Sequence, residues 1–145
     1  MLITRERTLA ALLGAATVLI VAAASLERHV VRGESMKPTL LPRDTAISVR
    51  VRSPLGAMLR LARHPRPGDI AVIELPWEHD LIGIKRLVAG PGDAWSDGGD
   101  SVRTGPGWVA VGDQRTLSTD SRHHGRVPTG AIRAIMLAKV APPDR

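Results

Sequence analysis

Residues 32–44, RGESMKPTLLPRD, contain one serine, Ser35, whose hydroxyl is a candidate nucleophile. A serine nucleophile needs a base that takes its proton, and the usual base is histidine. None of the five histidines lies in a recognisable nucleophile–base motif. The G-x-S-x-G and S-x-x-K patterns also fail at Ser35, because Lys37 and Pro38 occupy the positions that the glycine and the lysine would need. The base must therefore be sought among other residue types.

Lysine is the alternative base. A neutral amine accepts the serine proton once burial lowers its pKa, because burial disfavours the charged ammonium. Of the three lysines, Lys37 lies beside Ser35 in a turn, Lys139 lies near the C-terminus, and Lys85 lies in the middle of the apolar segment IGIKRLV. Lys85 is the candidate base, although its spacing leaves open an exposed position on the face of a strand.

Residues 8–26, TLAALLGAATVLIVAAASL, contain no charged residue. As a helix, residues 9–26 would be about 27 Å long, close to a hydrocarbon core of about 30 Å. Three interpretations are open: a retained membrane anchor, a signal sequence cleaved after the run Ala22-Ala23-Ala24, and a buried core helix. We favour the anchor. The core helix has the least support, because the rest of the chain is too short to cover an apolar helix on all sides.

The rest of the chain consists of short apolar segments separated by glycine, proline and aspartate, a pattern that predicts β-strands. The predicted strands are residues 44–51, 68–75, 81–90, 107–113 and 131–140. The predicted fold class is mostly β, with an antiparallel sheet domain at residues 29–145 behind an N-terminal transmembrane helix within residues 1–28. Residues 54–64 have helical spacing instead and predict a short amphipathic helix, packed on the sheet or, as the second choice, resting on a membrane.

The composition excludes several classes of function. The chain has no cysteine, which rules out disulfides, thiolate zinc sites and a cysteine nucleophile. Its histidines and carboxylates do not lie at metal-ligand spacing, and we expect no metal or other cofactor. The net charge is +6, but the arginines are scattered and aromatic residues are rare, so nucleic acid is not an expected partner. Anionic lipid headgroups suit a basic domain tied to a bilayer better.

Four segments, in this order, resemble the boxes of the type I signal peptidases, the serine–lysine leader peptidases. The first carries the candidate nucleophile and the third begins with the candidate base; the four are residues 33–40 (GESMKPTL), 66–73 (RPGDIAVI), 85–93 (KRLVAGPGD) and 112–125 (GDQRTLSTDSRHHG). Each match is weak alone, but together and behind an apolar N-terminal segment they form a strong signal. The short interval between the third and fourth segments predicts a compact form that lacks most of the extra β domain of larger members.

The resemblance implies a role for each matched residue. Ser35 would be the nucleophile, and Lys85 would be the general base that later protonates the leaving amine. Ser118 would hydrogen-bond the Lys85 amine and orient it, while Asp120 and Arg122 would form a structural ion pair. The Ser35 backbone N–H would be one oxyanion donor.

The sequence also departs from the family pattern. Gly33 stands where some members have a serine whose hydroxyl is the second oxyanion donor, and other members also have glycine there. His123-His124 replaces the usual aromatic residue, and Thr116-Leu117 replaces a polar pair. Met36 would line shallow pockets for the small residues that the family accepts one and three positions before the cut.

The function implied is that of a membrane-anchored serine endopeptidase that removes N-terminal signal peptides from exported preproteins. It would be a single-pass protein of the bacterial cytoplasmic membrane, with its catalytic domain on the extracytoplasmic face and with preproteins and the lipid bilayer as partners. One alternative is a dedicated maturation protease for one precursor, such as a nickel superoxide dismutase leader. A second is a non-catalytic anchored relative. A self-cleaving repressor would need a DNA-binding helix-turn-helix where this chain has an apolar segment.

Overall fold

The computed structural model describes residues 2–54, 57, 65–79 and 81–144. The chain begins with helix α1, Leu2–Ser25. The hydroxyl of Thr17 donates to the Leu13 carbonyl at 2.8 Å and that of Ser25 donates to the Val21 carbonyl at 2.7 Å. These polar groups are therefore satisfied inside the helix, as an apolar environment requires.

Helix α1 is long and apolar enough to cross a membrane. Its candidate span, Arg5–Ser25, has 21 residues and a mean hydropathy of 2.1, and only 6% of its most apolar window is buried against the protein. The interpretation as a buried core helix is therefore wrong, because almost no protein covers the apolar side chains. Length and composition fit a retained anchor and a cleaved signal equally well.

In the described part of the chain, eight strands follow α1. Six form one antiparallel sheet in the order β1-β2-β8-β3-β4-β7, and β5 and β6 form a separate hairpin. The strands are β1 Leu26–Val30, β2 Thr45–Arg50, β3 Ile70–Glu74, β4 Ile82–Ala89, β5 Trp95–Asp97, β6 Asp100–Val102, β7 Val109–Val111 and β8 Ile132–Val140. Three short helical turns interrupt the last third of the described chain: Arg115–Leu117, helix α2 at Ser121–His124, and Thr129–Ala131.

The predicted mostly β, antiparallel fold is confirmed, and the five predicted strands correspond to β2, β3, β4, β7 and β8. Strand β1 was not predicted, because its sequence LERHV is largely charged and polar and it pairs only with β2 at the edge of the sheet. The β5–β6 hairpin was also missed, since its strands have three residues each. The predicted helix at residues 54–64 lies outside the described residues except for Pro54 and Ala57, which are helical.

The core is built from aliphatic residues and one tryptophan. Its main cluster lies between the sheet and the strand-connecting segments: Ala71, Ile73, Leu87, Trp108, Ala110, Val127, Ile132 and Ile135. A second cluster is more important for the site. It packs Met36 and Leu40, from the segment that carries Ser35, against Ile70 of β3 and Val31. Burial of each such large side chain stabilises the fold by about 1.5–3 kcal/mol, so this segment is firmly held on the sheet.

Candidate active site

Ser35 lies in a compact excursion of the chain between β1 and β2. The two ends of this excursion are joined by backbone hydrogen bonds, from Val31 N to Asp44 O and from Arg43 N to Val31 O, both 2.8 Å. Met36 is 2% exposed and Leu40 is fully buried. Ser35 itself is half-buried. The excursion therefore holds the serine at the surface of a packed support.

Lys85 lies inside β4, opposite Ala71 of β3. It is 5% exposed, and its Nζ donates a hydrogen bond to Ser118 Oγ at 2.9 Å. An exposed position on the strand face, which the spacing left open, is therefore ruled out. Burial lowers the pKa of the Lys85 amine below its ordinary value; the charge of Asp120 opposes this effect and that of Arg122 adds to it.

Ser118, Asp120 and Arg122 form a buried network behind Lys85. Ser118 Oγ donates to Asp120 Oδ2 at 2.5 Å. The Arg122 guanidinium binds both oxygens of the carboxylate, from Nε to Oδ1 at 2.9 Å and from Nη2 to Oδ2 at 2.6 Å. Burial would raise the pKa of Asp120, but the hydrogen bonds from Arg122, Gly112 and Ser118 outweigh it and hold that pKa below its usual value. The carboxylate therefore stays ionised and paired.

Gly112, directly after β7, lies against both halves of the site. A Cβ at this position would be 2.2 Å from Ser118 Oγ and 2.6 Å from the Ser35 carbonyl oxygen. The same carbonyl accepts a hydrogen bond from Gln114 N at 2.8 Å. The excursion between β1 and β2, residues 31–44, is called the nucleophile segment because it carries the candidate nucleophile. The loop after β7 brings this segment and the network around Lys85 into direct contact, and only glycine fits between them.

A second ion pair, which the sequence analysis did not assign, connects the same elements. Arg86, the neighbour of Lys85, donates from Nε to Asp113 Oδ1 at 2.8 Å and from Nη2 to Asp113 Oδ2 at 2.7 Å. Thr39 Oγ1 donates to Asp113 Oδ2 at 2.5 Å. Burial would raise the pKa of Asp113, but the hydrogen bonds from Arg86 and Thr39 keep it below the usual value. The available signals for this ion pair in the sequence were Lys85-Arg86 at the start of the third box and Gly112-Asp113 at the start of the fourth.

Ser35 and Lys85 line one cleft of about 670 Å³. One wall is the chain from β1 to Met36, and the other is formed by the β3–β4 hairpin and residues Leu117 and Thr119. Gly33 also lines the cleft, and a Cβ there would have no atom within 4 Å, so packing does not require glycine at this position. Met36 lines the cleft as well, although it is almost wholly buried in the core.

The histidine pair near the end of the fourth box occupies structural positions. His124 stacks on Trp77 with ring centroids 4.8 Å apart and an interplanar angle of 12°, which ties α2 to the β3–β4 hairpin. His123 Nδ1 accepts a hydrogen bond from Asp120 N at 3.4 Å and completes the cap of α2. Across residues 2–54, 57, 65–79 and 81–144, no group of three or more histidine, cysteine or acidic residues is arranged to hold a metal ion.

The sheet, the apolar helix and the cleft together define a membrane-associated class of peptidases. This chain belongs to the signal peptidase family, peptidase family S26, whose sequence model matches residues 4–104. The match includes Ser35 and Lys85 and ends before the network of Ser118, Asp120 and Arg122.

The similar proteins found are mitochondrial. The chain is 35% identical over 89 residues to mitochondrial inner membrane protease subunit 1 of Schizosaccharomyces pombe, a match that covers 57% of this chain and 56% of that protein. It is 34% identical over 119 residues to mitochondrial ATP-independent inner membrane protease subunit 1b of Arabidopsis thaliana, covering 76% of this chain and 67% of the relative. Subunit 1a of the same plant is 30% identical over 125 residues, covering 79% and 70%. The matches therefore span from 56% to 70% of the length of these relatives.

Proposed function

We propose that this chain is a membrane-anchored serine endopeptidase that removes N-terminal signal peptides from exported preproteins, with Ser35 as the nucleophile and Lys85 as the general base. The observation that carries the proposal is the burial of Lys85 in the cleft that Ser35 lines, with its amine held at 2.9 Å from Ser118 Oγ. A desolvated, oriented lysine is the kind of base that a serine needs when no histidine is available.

The network behind Lys85 supports this role. Ser118 donates its own O–H to Asp120, so its oxygen is left to accept a hydrogen bond from the Lys85 amine. In a neutral amine held this way, the nitrogen lone pair remains free for the Ser35 proton. Arg122 neutralises Asp120, which limits the extent to which that carboxylate stabilises the charged form of Lys85.

The proposed reaction runs in two halves. Lys85 takes the proton of Ser35 Oγ as the oxygen bonds to the scissile carbonyl carbon, and the resulting ammonium gives that proton to the leaving amine as the C–N bond breaks. In the second half, Lys85 takes a proton from water, the hydroxide oxygen attacks the acyl ester, and Ser35 recovers its proton. The acyl product leaves as a carboxylic acid.

The oxyanion of each tetrahedral intermediate needs hydrogen-bond donors. In the part of the chain that the structure describes, no group accepts a hydrogen bond from the Ser35 N–H, so this donor is free to bind the oxyanion. Gly33 brings no hydroxyl, and we assign the second donor to a water molecule or another backbone amide. The open space at Gly33 leaves room for either.

The proposed location is the bacterial cytoplasmic membrane, with the sheet domain on the extracytoplasmic side. Strand β1 starts directly after α1, and the nucleophile follows β1 closely in the chain. A site tethered this close to the bilayer meets membrane-bound substrates at high effective concentration. The relatives, which are named as inner membrane proteases, support a membrane location in general.

The sequence raises two alternatives to this function. One is a dedicated protease for a single precursor, which the compact chain suits. The other is a non-catalytic subunit. The second alternative has less support, because Ser35, Lys85, Ser118 and Asp120 are all present and the lysine is buried at its hydrogen-bond partner.

The test is cleavage of a signal-peptide precursor by the full chain in detergent. We expect wild type to cut after a small-x-small sequence, and Ser35→Ala and Lys85→Ala to lose at least about a thousandfold in rate. Lys139→Ala is the matched control, because Lys139 is an exposed lysine that bonds the Thr39 carbonyl outside the cleft. Full activity of Lys85→Ala would show that another group is the base. An inert wild type would reject general signal-peptide processing.

A further inference from the structure

Two arginines in the wall of the cleft have no hydrogen-bond or ion-pair partner among the described residues. Arg28 on β1 and Arg32, three positions before Ser35, both line the cleft and are both exposed. Neither guanidinium approaches a carboxylate of residues 2–54, 57, 65–79 or 81–144 within 4.0 Å. Two uncompensated positive charges therefore line the same cleft as the candidate nucleophile.

Seven other arginines in the described part of the sheet domain bond to carboxylates or backbone carbonyls. Arg43, Arg50, Arg86, Arg115, Arg122 and Arg133 each pair with a carboxylate, and Arg126 binds four backbone carbonyls. Among the described residues, the exposed arginines Arg52, Arg66 and Arg103 do not line the cleft. Arg28 and Arg32 thus combine two properties, a free guanidinium and a position in the cleft.

The other charged groups of the cleft do not neutralise them. His29 bonds Glu27, and Glu34 pairs with Lys37. Glu78, on the β3–β4 hairpin, lies in the opposite wall and is exposed. The cleft therefore has a positive wall along β1 and the nucleophile segment, while the other wall holds the exposed Glu78 carboxylate and the buried Lys85 amine.

We propose that Arg28 and Arg32 bind a carboxylate of the substrate close to the scissile bond, so that the protein favours precursors with an acidic residue in this part of the cleft. The proposal rests on the proposed function, because it takes the cleft to be the substrate site. It adds a charge requirement to the recognition of small residues.

The chemistry of the guanidinium supports a carboxylate as the ligand. Arginine presents a planar fork of donors that matches both oxygens of a carboxylate, and such charge-assisted bonds are stronger than neutral ones. Glu78 on the opposite wall repels an acidic residue placed there. The two walls together therefore determine the orientation in which a peptide with an acidic residue binds in the cleft. A peptide lying between them would bury both arginines partly and strengthen the pairing.

The experiment measures binding separately from cleavage. The full-length Ser35→Ala protein in neutral detergent is titrated with fluorescent peptides that carry Asp, Asn or Lys at each position from three before to three after a small-x-small cut. At one or two positions we expect Asp to bind about twofold to fivefold more tightly than Asn, the scale of one favourable exposed ion pair. Arg32→Gln and Arg28→Gln should each reduce this preference, and Arg32→Glu should invert it in favour of Lys.

Matched controls separate the other outcomes. Arg66→Gln removes an exposed arginine outside the cleft and should leave the preference unchanged. Equal binding of Asp and Asn peptides at every position would overturn the proposal. It would also be overturned if the glutamine variants kept the Asp preference and lost only their binding to phosphatidylglycerol-containing vesicles, because lipid would then be the partner. Cleavage of the Asn peptide by the protein with Ser35 intact tests the proposed function independently.

Discussion

At the scale of single residues, the proposed chemistry depends on the protonation state of Lys85. An ordinary lysine has a pKa of about 10.4 and is charged at neutral pH. Burial in β4 lowers the pKa of Lys85, so a larger fraction of the amine is neutral at a given pH. Activity should therefore rise with pH through this lowered pKa, because only the neutral amine acts as the base.

The carboxylate of Glu78 provides a test of this link. Its negative charge stabilises the Lys85 ammonium and opposes the effect of burial on the pKa. We expect Glu78→Gln to lower the pKa of Lys85 further and to move the ascending limb of the kcat/KM profile to lower pH. The profile is measured with an uncharged peptide at low salt, since salt screens an exposed charge.

Glu74→Gln is the control for this prediction. Glu74 is also exposed, lies at the end of β3 and pairs with Arg133 at 3.3 Å, and its charge is not among the causes of the Lys85 shift. Its profile should match wild type. An ascending limb that moves to higher pH in Glu78→Gln would contradict the assignment of that limb to Lys85.

At the scale of the elements, the site is a meeting of three segments. The excursion after β1 carries Ser35, and β4 carries Lys85. The loop after β7 contacts the Ser35 carbonyl at Gly112 and reaches Lys85 through the hydrogen bond of Ser118. The Arg86–Asp113 pair and Thr39 fasten the same three segments at a second point. Two separate attachments restrict both sliding and rotation of the segments relative to each other. Such restriction is needed because a misplacement of about 1 Å between reacting groups lowers the rate strongly.

Replacement of Gly112 tests this arrangement. In Gly112→Ala the new Cβ cannot coexist with Ser118 Oγ and the Ser35 carbonyl, so the loop and the nucleophile segment must move apart. We expect kcat on a peptide substrate to fall by about a hundredfold or more, the scale of a misplacement of about 1 Å. The Arg86–Asp113 pair should keep the domain folded.

Gly105→Ala is the matched variant, because its Cβ would meet only the Arg126 side chain at 3.5 Å, an ordinary contact. Circular dichroism of both variants distinguishes loss of geometry from loss of fold. Normal activity in Gly112→Ala would mean that the loop is not pressed against the site in solution.

At the scale of the whole molecule, the helix and the sheet domain have separate tasks. Almost none of α1 is buried by the protein, and the sheet starts with β1 immediately after it. We propose that α1 anchors the site, so that the search for a substrate is confined to the plane of the membrane. The sheet has its own core and is expected to fold without the helix.

A variant lacking residues 2–24 measures the contribution of the helix. We expect it to cut a soluble peptide with a kcat/KM within about threefold of the full chain, and to lose at least about tenfold on a precursor inserted in vesicles, because the tether no longer concentrates the site at the membrane. Both rates are measured at equal protein concentration. Equal losses on the two substrates would show that α1 also shapes the cleft.

The sequence by itself determined the parts of this protein that depend on local pattern. The uncharged apolar run predicts α1, and five apolar segments bounded by glycine, proline and aspartate predict β2, β3, β4, β7 and β8. It also singled out Ser35 and Lys85 as candidates, because elimination of histidine and cysteine chemistry leaves few groups that can perform this reaction. These inferences need only neighbouring residues, whose spacing and chemistry can be read directly.

Only the tertiary structure decided the rest. The Lys85 amine bonds Ser118, 33 positions away, and Asp113 accepts a hydrogen bond from Thr39, 74 positions away. Strand β1 forms because β2 pairs with it, although its own sequence is largely polar. The close approach at Gly112 and the unpaired arginines of the cleft exist only once distant segments are packed together. Distances between segments far apart in the chain are set by packing, which no local pattern encodes.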